Sequence, residues 1–345
     1  MLTGALAADE LFAPLAEEPA LLLAVSGGPD SVALMLLAAK WSRRPKAEKI
    51  AVATVDHGLR PESLEEALRV GEWAKALGFR HHLLRWEGPK PATRLQERAR
   101  EARYALLCGC AREIDPECAM VTAHHADDQA ETILFRLTRG SGVAGLAGMA
   151  PTSIRNGVRL LRPLLNIAKS ELEDVCASAG QAFVRDPTNE NEAFARARLR
   201  ALNATLAAQG LDAHSLLRLG RRAAQAEEAL NWCALRMREM VGAVVDEAET
   251  RLESDALRDI PKEILQRLLT MELHRRGGAI PRLDRLERAA QTISESLASG
   301  AGARITLGAF SIKIDNRTVT LTPAPPRVRG RAQSRLISPQ GEEII

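Results

Sequence analysis

Leu21-Leu-Leu-Ala-Val25, then Ser26-Gly27-Gly28-Pro29-Asp30-Ser31, then Val32-Ala-Leu-Met-Leu-Leu-Ala-Ala-Lys-Trp41 is the stretch that decides the fold. Five successive apolar residues predict a strand buried on both faces of a parallel sheet. The almost wholly apolar run from Val32 predicts a buried helix. Pro29 and Asp30 suit a first helical turn, where a missing N–H costs nothing and the helix dipole favours a carboxylate. Gly27 and Gly28 let the backbone turn tightly and approach a ligand. The unpaired N–H groups of the loop and first turn then converge on one spot, an anion site whose usual occupant is phosphate.

A bare Gly-Gly between strand and helix can be a simple tight turn, but the six residues Ser26 to Ser31 say more. No Gly-Lys-Ser/Thr ends the loop, so it is not a Walker A motif, and the G-x-G-x-x-G dinucleotide fingerprint is missing. The loop resembles the SGGxDS pyrophosphate loop of the ATP pyrophosphatase (PP-loop) superfamily, complete at all five fixed positions. The resemblance implies that Ser26, Gly27, Gly28, Pro29, Asp30 and Ser31 hold the outer phosphates of ATP while AMP is transferred to a carbonyl oxygen.

Strands and helices alternate outward from this stretch. Strands are expected at Lys49–Val55, Phe79–Leu84, Ala119–Ala123 and Val158–Leu161. Helices are expected from Ser63 to about Leu77, Leu95 to Ile114, Ala126 to Arg139 and Lys169 to Ala179. Ser63 and Glu66 have the spacing of a capping box. The alternation predicts an α/β fold with a doubly wound parallel sheet covered on both faces. The superfamily resemblance implies that it is adenine nucleotide alpha hydrolase-like. Right-handed crossovers would bring the strand C-termini, and so Ser26, Asp56 and His124, to one edge, where ligands bind.

After about Leu211 the pattern changes to helices at Leu216–Val245, Pro261–Arg276 and Pro281–Leu297, with short strands at Arg304–Leu307, Ser311–Ile314 and Thr318–Leu321. The expected organisation is a catalytic domain over 1–210, a smaller, mainly helical domain over 211–322, and an Arg/Pro-rich flexible tail over 323–345.

Thr122-Ala-His124-His125-Ala-Asp127-Asp128-Gln-Ala-Glu131-Thr132 is the second informative stretch. His124, Asp127, Asp128 and Glu131 stand at i, i+3, i+4 and i+7, one face of a helix if all four are helical. Carboxylates so placed repel one another unless a cation joins them. Mg²⁺ is the natural candidate, held by Asp30, Asp127 and Asp128 together with substrate phosphates. Asp56 and His57, just past the second strand, are turn residues or contacts for adenosine. Arg103 stands out from a helix of alternating charges as the arginine to meet negative charge developing at the α-phosphate. Four glycines in the nine residues Gly140 to Gly148 suggest a mobile or closely approached loop with Arg139 at its positive end. Arg196, Arg198 and Arg200 form a basic run suited to an RNA backbone.

Composition bounds the reading further. At 345 residues, with 46% hydrophobic and 26% charged, the chain is a globular protein of about two domains. A net charge of +3 names no partner. No basic segment precedes an apolar run at the N-terminus, and no stretch reaches the roughly 18 apolar residues of a membrane span. The five cysteines form no CxxC pair and suit buried thiols in a reducing cytoplasm. The oligomeric state, a homodimer included, is left open.

Taken together, SGGPDS, VDHGLRPES, QERARxARY, TAHHADDQAETILFRLTRGSGVAGLAGM, RPLL and DPTN…FARARLR resemble the tRNA(Ile)-lysidine synthases from about Leu21 to Arg200. The resemblance implies a ligase that uses ATP and Mg²⁺ to adenylate O2 of the wobble cytidine in an isoleucine tRNA with a CAU anticodon. The ε-amine of free lysine then displaces AMP at C2, and the codon read changes from AUG to AUA. Lysine must lose a proton to attack, and Asp127 or Asp128 is expected to hold the ammonium and take it, the other carboxylate and Asp30 serving Mg²⁺. His124, Glu131, Arg139 and the basic run complete the expected site. Ala197 stands where many members carry Asn, and the longer members' last tRNA-binding subdomain is not recognised. Two rivals are a tRNA cytidine thiolase of the same superfamily, which should carry paired cysteines, and a non-catalytic ATP-binding module.

Overall fold

The computed structural model describes residues 7–41, 49–91, 93–184, 205–241, 244–246 and 248–324. The chain divides into two compact units, Met1–Ala226 and Glu227–Ile345.

The first unit is built on β1 (Leu21–Ala24), the expected central strand. It is hydrogen-bonded in parallel to β2 (Ile50–Asp56) on one side and to β4 (Ala119–Val121) on the other. The complete order is β3-β2-β1-β4-β6-β5, with β3 at Arg80–Arg85, β5 at Thr152–Arg155 and β6 at Val158–Leu161. Every pairing is parallel except β5 with β6, an antiparallel hairpin at the edge that the sequence pattern did not announce. Both faces of β1 are buried. Leu21 and Leu23 face a core with α2 (Pro29–Lys40), α3 (Ser63–Ala76) and α7 (Lys169–Ser178). Leu22 and Ala24 face a second core with Tyr104, Leu107 and Cys108 of α4 (Leu95–Ile114). This two-sided burial is why the strand reads as an unbroken apolar run rather than an alternating one.

The order of strands reverses its direction of growth at β1, so the crevice between the C-terminal ends of β1 and β4 is the switch point. Two helices start there, α2 after β1 and α5 (Ala126–Leu137) after β4.

The expected capping box at Ser63 does not form. Ser63 is already helical, and its hydroxyl donates to Asp56 Oδ1 at 2.6 Å and to the Arg60 carbonyl at 2.9 Å. Glu66 pairs instead with Arg60 at 2.7 Å. A buried carboxylate at the strand end outcompetes the local motif for the hydroxyl.

The glycine-rich loop after α5 is pinned rather than loose. The Arg136 guanidinium donates to the carbonyls of Gly145 (3.0 Å) and Gly148 (2.6 Å). The Gln129 amide exchanges two hydrogen bonds with the Met149 backbone, at 2.9 and 2.7 Å. The glycines are needed for close approach. A Cβ at Gly148 would stand 2.7 Å from the Gln129 side chain, on a backbone of φ +75°. A short helix, α6 (Val143–Leu146), forms inside the loop.

Helix α8 (Ala213–Met240) crosses the division between the units. It stops short of the expected Val245, because Val244–Val245 forms strand β7. The second unit is an antiparallel sheet, β7-β8-β11-β10-β9, with helices on it. Its strands β8 (Thr250–Glu253), β9 (Ala303–Leu307), β10 (Phe310–Ile314) and β11 (Thr318–Pro323) alternate in burial. Leu252, Ile312, Ile314, Val319 and Leu321 point inward against α10 (Lys262–Arg275) and α11 (Leu283–Ser299), and a one-turn helix, α9 (Ser254–Leu257), joins the same core. The leucines 265, 268, 269 and 273 are core residues, as their spacing predicts. Residues 325–345, the Arg/Pro-rich tail apart from its first two positions, lie outside the described residues.

Replacing Arg136 by Ala should free the loop. Two carbonyls lose a charged donor, at about 1–3 kcal/mol. Amide hydrogen exchange over 141–149 should speed up by at least roughly tenfold, and unchanged protection there would contradict the pinning.

Candidate active site

The phosphate loop is preorganised by its own side chains. The Ser26 N–H donates to Ser31 Oγ at 3.1 Å, and Ser31 Oγ donates to the Gly28 carbonyl at 2.9 Å. Gly27 has φ +92°, a left-handed conformation that L-residues avoid. A Cβ there would meet Val70 at 3.1 Å and Val184 at 3.2 Å, and the Val184 N–H donates to the Gly27 carbonyl at 2.9 Å. At Gly28, in contrast, the nearest atom to an added Cβ is Ser26 Oγ at 3.9 Å, so that side is open. Pro29 is the first residue of α2 and no side chain caps its N-terminus, which leaves its amides directed at whatever fills the crevice.

Asp30, on the first turn of α2, meets the first turn of α5. The link is His125, a residue the sequence reading passed over. Its imidazole is buried and lies 3.5 Å from Asp30 Oδ2, 3.4 Å from Asp128 Oδ2 and 3.5 Å from Asp127 Oδ2. Burial works to lower its pKa, but the three carboxylates outweigh that and hold it above the ordinary histidine value. Asp128 is pushed up, first by burial and then by Glu131 and Asp30, against the pull of His125. Glu131 thus joins the same electrostatic group.

His124 is not part of that face. The helix starts at Ala126, with His125 as its extended N-cap, so His124 precedes the helical periodicity. Its Nδ1 shares a 2.8 Å hydrogen bond with Thr122 Oγ1. Burial, then the charges of Arg162, Arg100, Arg103 and His125, depress its pKa to about 3. Two adjacent histidines therefore face opposite fields, His125 a set of carboxylates and His124 a set of guanidinium groups.

The carboxylates also brace the fold. Asp128 Oδ2 accepts the His125 N–H at 3.2 Å, and Asp127 Oδ2 accepts the Lys169 N–H at 3.0 Å at the start of α7. Asp30 Oδ1 is buried and has no hydrogen-bond partner among the described residues. That orphaned oxygen, on the phosphate loop itself, fits a hard cation that shares substrate phosphates. No group of three His, Cys, Asp or Glu side chains forms a metal cage among the described residues. A cation that takes one or two carboxylates and completes its shell from phosphates and water needs no such cage.

Asp56 is at the end of β2 with both oxygens engaged. Oδ1 accepts from the Gly58 N–H (2.8 Å) and Ser63, and Oδ2 faces Arg85 at 3.4 Å. These contacts hold its pKa below the usual value although burial, the largest influence, opposes them. Asp56 thus shapes the loop that carries His57. His57 stands edge-on to Trp86, its Nδ1 buried without a partner, and burial followed by Arg103 lowers its pKa. Arg103 is half-buried on α4 and makes no ion pair with a described acid. Arg139 is not brought to the carboxylates. It stacks over Phe135 beyond the far end of α5, a helix of 12 residues and so about 18 Å long. Arg196, Arg198 and Arg200 lie outside the described residues. Arg162, just past the end of β6, was overlooked, although the strand-end rule that picked out Ser26, Asp56 and His124 applies to it equally.

A family model described as a PP-loop domain matches residues 4–206. The tRNA(Ile)-lysidine synthase of Bradyrhizobium sp. (strain BTAi1) is 43% identical over 340 residues, 93% of this chain and 95% of that one. The chain belongs to the tRNA(Ile)-lysidine synthase family. The family member of Rhodopseudomonas palustris is 45% identical over 336 residues, covering 94% of this chain and 96% of its own. Membership makes the chain a ligase with an ATP-binding PP-loop domain and sets aside the thiolase and the non-catalytic module. Among solved structures, the U34-tRNA thiolase NcsA of Methanococcus maripaludis has a TM-score of 0.51 at 15% identity, over 63% of this chain and 77% of that one, which shows a common fold. In this family member the four cysteines of the first unit are buried, with burial raising Cys110 to about 11 and Cys118 to about 12. No helix among the described residues is long and apolar enough to cross a membrane.

Gly27→Ala should impair the loop. A left-handed backbone costs an L-residue on the order of 1–2 kcal/mol, and two valines must move. ATP affinity by calorimetric titration should fall about tenfold or more, a factor equal to about 1.4 kcal/mol, and wild-type affinity in this variant would contradict the geometry.

Proposed function

We propose that the chain ligates lysine to C2 of the wobble cytidine in the CAU anticodon of an isoleucine tRNA, through an O2-adenylated intermediate. The observation that carries this reading is the meeting of Asp30, Asp127 and Asp128 at His125 beside an open phosphate loop. It joins a place for a triphosphate to a place for a cation or an amine.

In this reading the loop amides and the start of α2 hold the β- and γ-phosphates. Asp30, with Asp127 or Asp128, would hold Mg²⁺, which when bound offsets the charge of the phosphates. Arg103 faces charge that develops on the α-phosphate as the cytosine oxygen attacks. A cytosine oxygen is a poor leaving group and AMP a good one, so adenylation prepares C2 for substitution.

The second step needs a neutral amine. Free lysine has a reference pKa of about 10.4, so its ammonium must give up a proton on binding. Asp128 suits this role better than Asp127. Burial raises its pKa toward that of the proton donor, whereas Asp127 is about half exposed and caps α7. Glu131 adds a second negative charge for the ammonium. Arg139 and the run Arg196, Arg198 and Arg200 are left to the RNA backbone, which basic side chains bind through counterion release.

Mass analysis of nucleosides after incubation with ATP, lysine and an unmodified transcript tests the reading directly. Lysidine is expected, and unmodified cytidine alone would overturn it. Asp128→Asn keeps the acceptor for the His125 N–H but loses the base, so lysidine formation should fall at least about 100-fold, in the range of general-base loss. Asp127→Asn should lose less. Near wild-type rates in both would sink the role given to this carboxylate group.

A further inference from the structure

Four arginines gathered around Tyr104 and His124 make no ion pair with a described acid. Arg100 and Arg103 lie on α4, Arg155 on β5 and Arg162 past β6. Arg100 and Arg155 both lie over the ring of Tyr104, with guanidinium carbons 5.2 and 4.9 Å from its centroid. Arg162 donates to the Ala150 carbonyl at 2.7 Å, but its Nε is buried with no partner among the described residues. Arg100, Arg103 and Arg162 all act on the half-buried His124. Arg60, Arg69 and Arg98 of the same unit, in contrast, pair with Glu66, Glu65 and Glu101.

Gathered like charges repel; Arg103 and Arg162 are half-buried, where a guanidinium without a counter-ion is costly, while Arg100 and Arg155 are exposed and add to the local positive charge. Such a cluster is stable when an anion completes it. The triphosphate has its own cradle at the loop and Arg103 for its α-phosphate, so the remaining three arginines exceed what ATP needs. Arg100 and Arg155 meet over the one ring of Tyr104, and Arg162 acts with Arg100 on His124, so α4 and the β5–β6 hairpin present these guanidinium groups side by side. Several neighbouring guanidinium groups match successive phosphodiesters, which arginine recognises through its planar fork.

We propose that Arg100, Arg155 and Arg162 form a phosphodiester-binding track that holds the RNA backbone next to the target nucleotide. The proposal rests on the chain being a tRNA-modifying ligase and adds to that reading the path of the substrate strand. Tyr104 keeps Arg100 and Arg155 in place by stacking, and the depressed basicity of His124 keeps a neutral ring behind the track instead of a further positive charge.

The test uses the full chain, an unmodified tRNA transcript with a CAU anticodon, and a salt series. Each phosphate contact contributes about 0.9 to the slope of log affinity against log salt. Arg100→Gln and Arg155→Gln should each lower that slope by about 1, with tRNA affinity falling several-fold, while affinity for ATP alone stays the same. Arg100→Lys and Arg155→Lys, which keep the charge, should restore the slope, and this separates a lost contact from a lost fold. Loss of ATP affinity with an unchanged slope would assign the cluster to the nucleotide and overturn the proposal. So would unchanged slope and affinity in both Gln variants. If the wild-type chain itself fails to bind the transcript, the functional reading fails; if it binds and the variants match it, only the track fails.

Discussion

Parallel hydrogen bonding between β1 and β4 is the constraint on which the site depends. It sets two strand ends side by side, and each end leads at once into a helix. The starts of α2 and α5 therefore open on one crevice, α2 with no side-chain cap on its amides and both with a partial positive pole. A phosphate loop from one strand and an acidic turn from the other then face each other without any long connection. The apolar run of β1, buried on both faces, makes this arrangement rigid.

Rigid placement lets opposite charges be kept apart over a very short span. His124 and His125 are neighbours in the chain, yet extended backbone turns successive side chains to opposite sides. One ring gathers carboxylates and the other is backed by guanidinium groups. An active centre that must bind a triphosphate, a cation, an ammonium group and RNA has to sort attractive from repulsive pairs, and here the sorting is done by the alternation of a strand end.

Much of this could be read from the residues, and the gaps have physical causes. The β1–loop–α2 stretch was legible because burial on both faces writes an apolar run and the helix start writes glycine and proline. The hairpin strand β5 and the short β7 and β8 were missed, because β5 buries little and β7 and β8, of two and four residues, are too short to show a period. The capping box failed because a local pattern cannot register Asp56, which reaches Ser63 from the preceding strand end. His125 was overlooked through an error of phase: counting helical positions from His124 assumes a helix that begins two residues later. The loop at Gly140 to Gly148 could be read as mobile or closely approached, because glycine signals both, and only the contacts of Arg136 and Gln129 tell which.

The hydrogen bond from the Lys169 amide to Asp127 has a genetic consequence. It ties α5 to α7, and α7 is tied to α2 where the Cys176 thiol meets the Pro29 carbonyl. Three helices are thereby locked into a closed triangle whose corner is an acidic residue of the reaction centre. A random inactivating allele at that corner reports on folding and on chemistry at once. Compensating second-site changes for such alleles belong in the α2–α7 contact, away from anything that touches ATP.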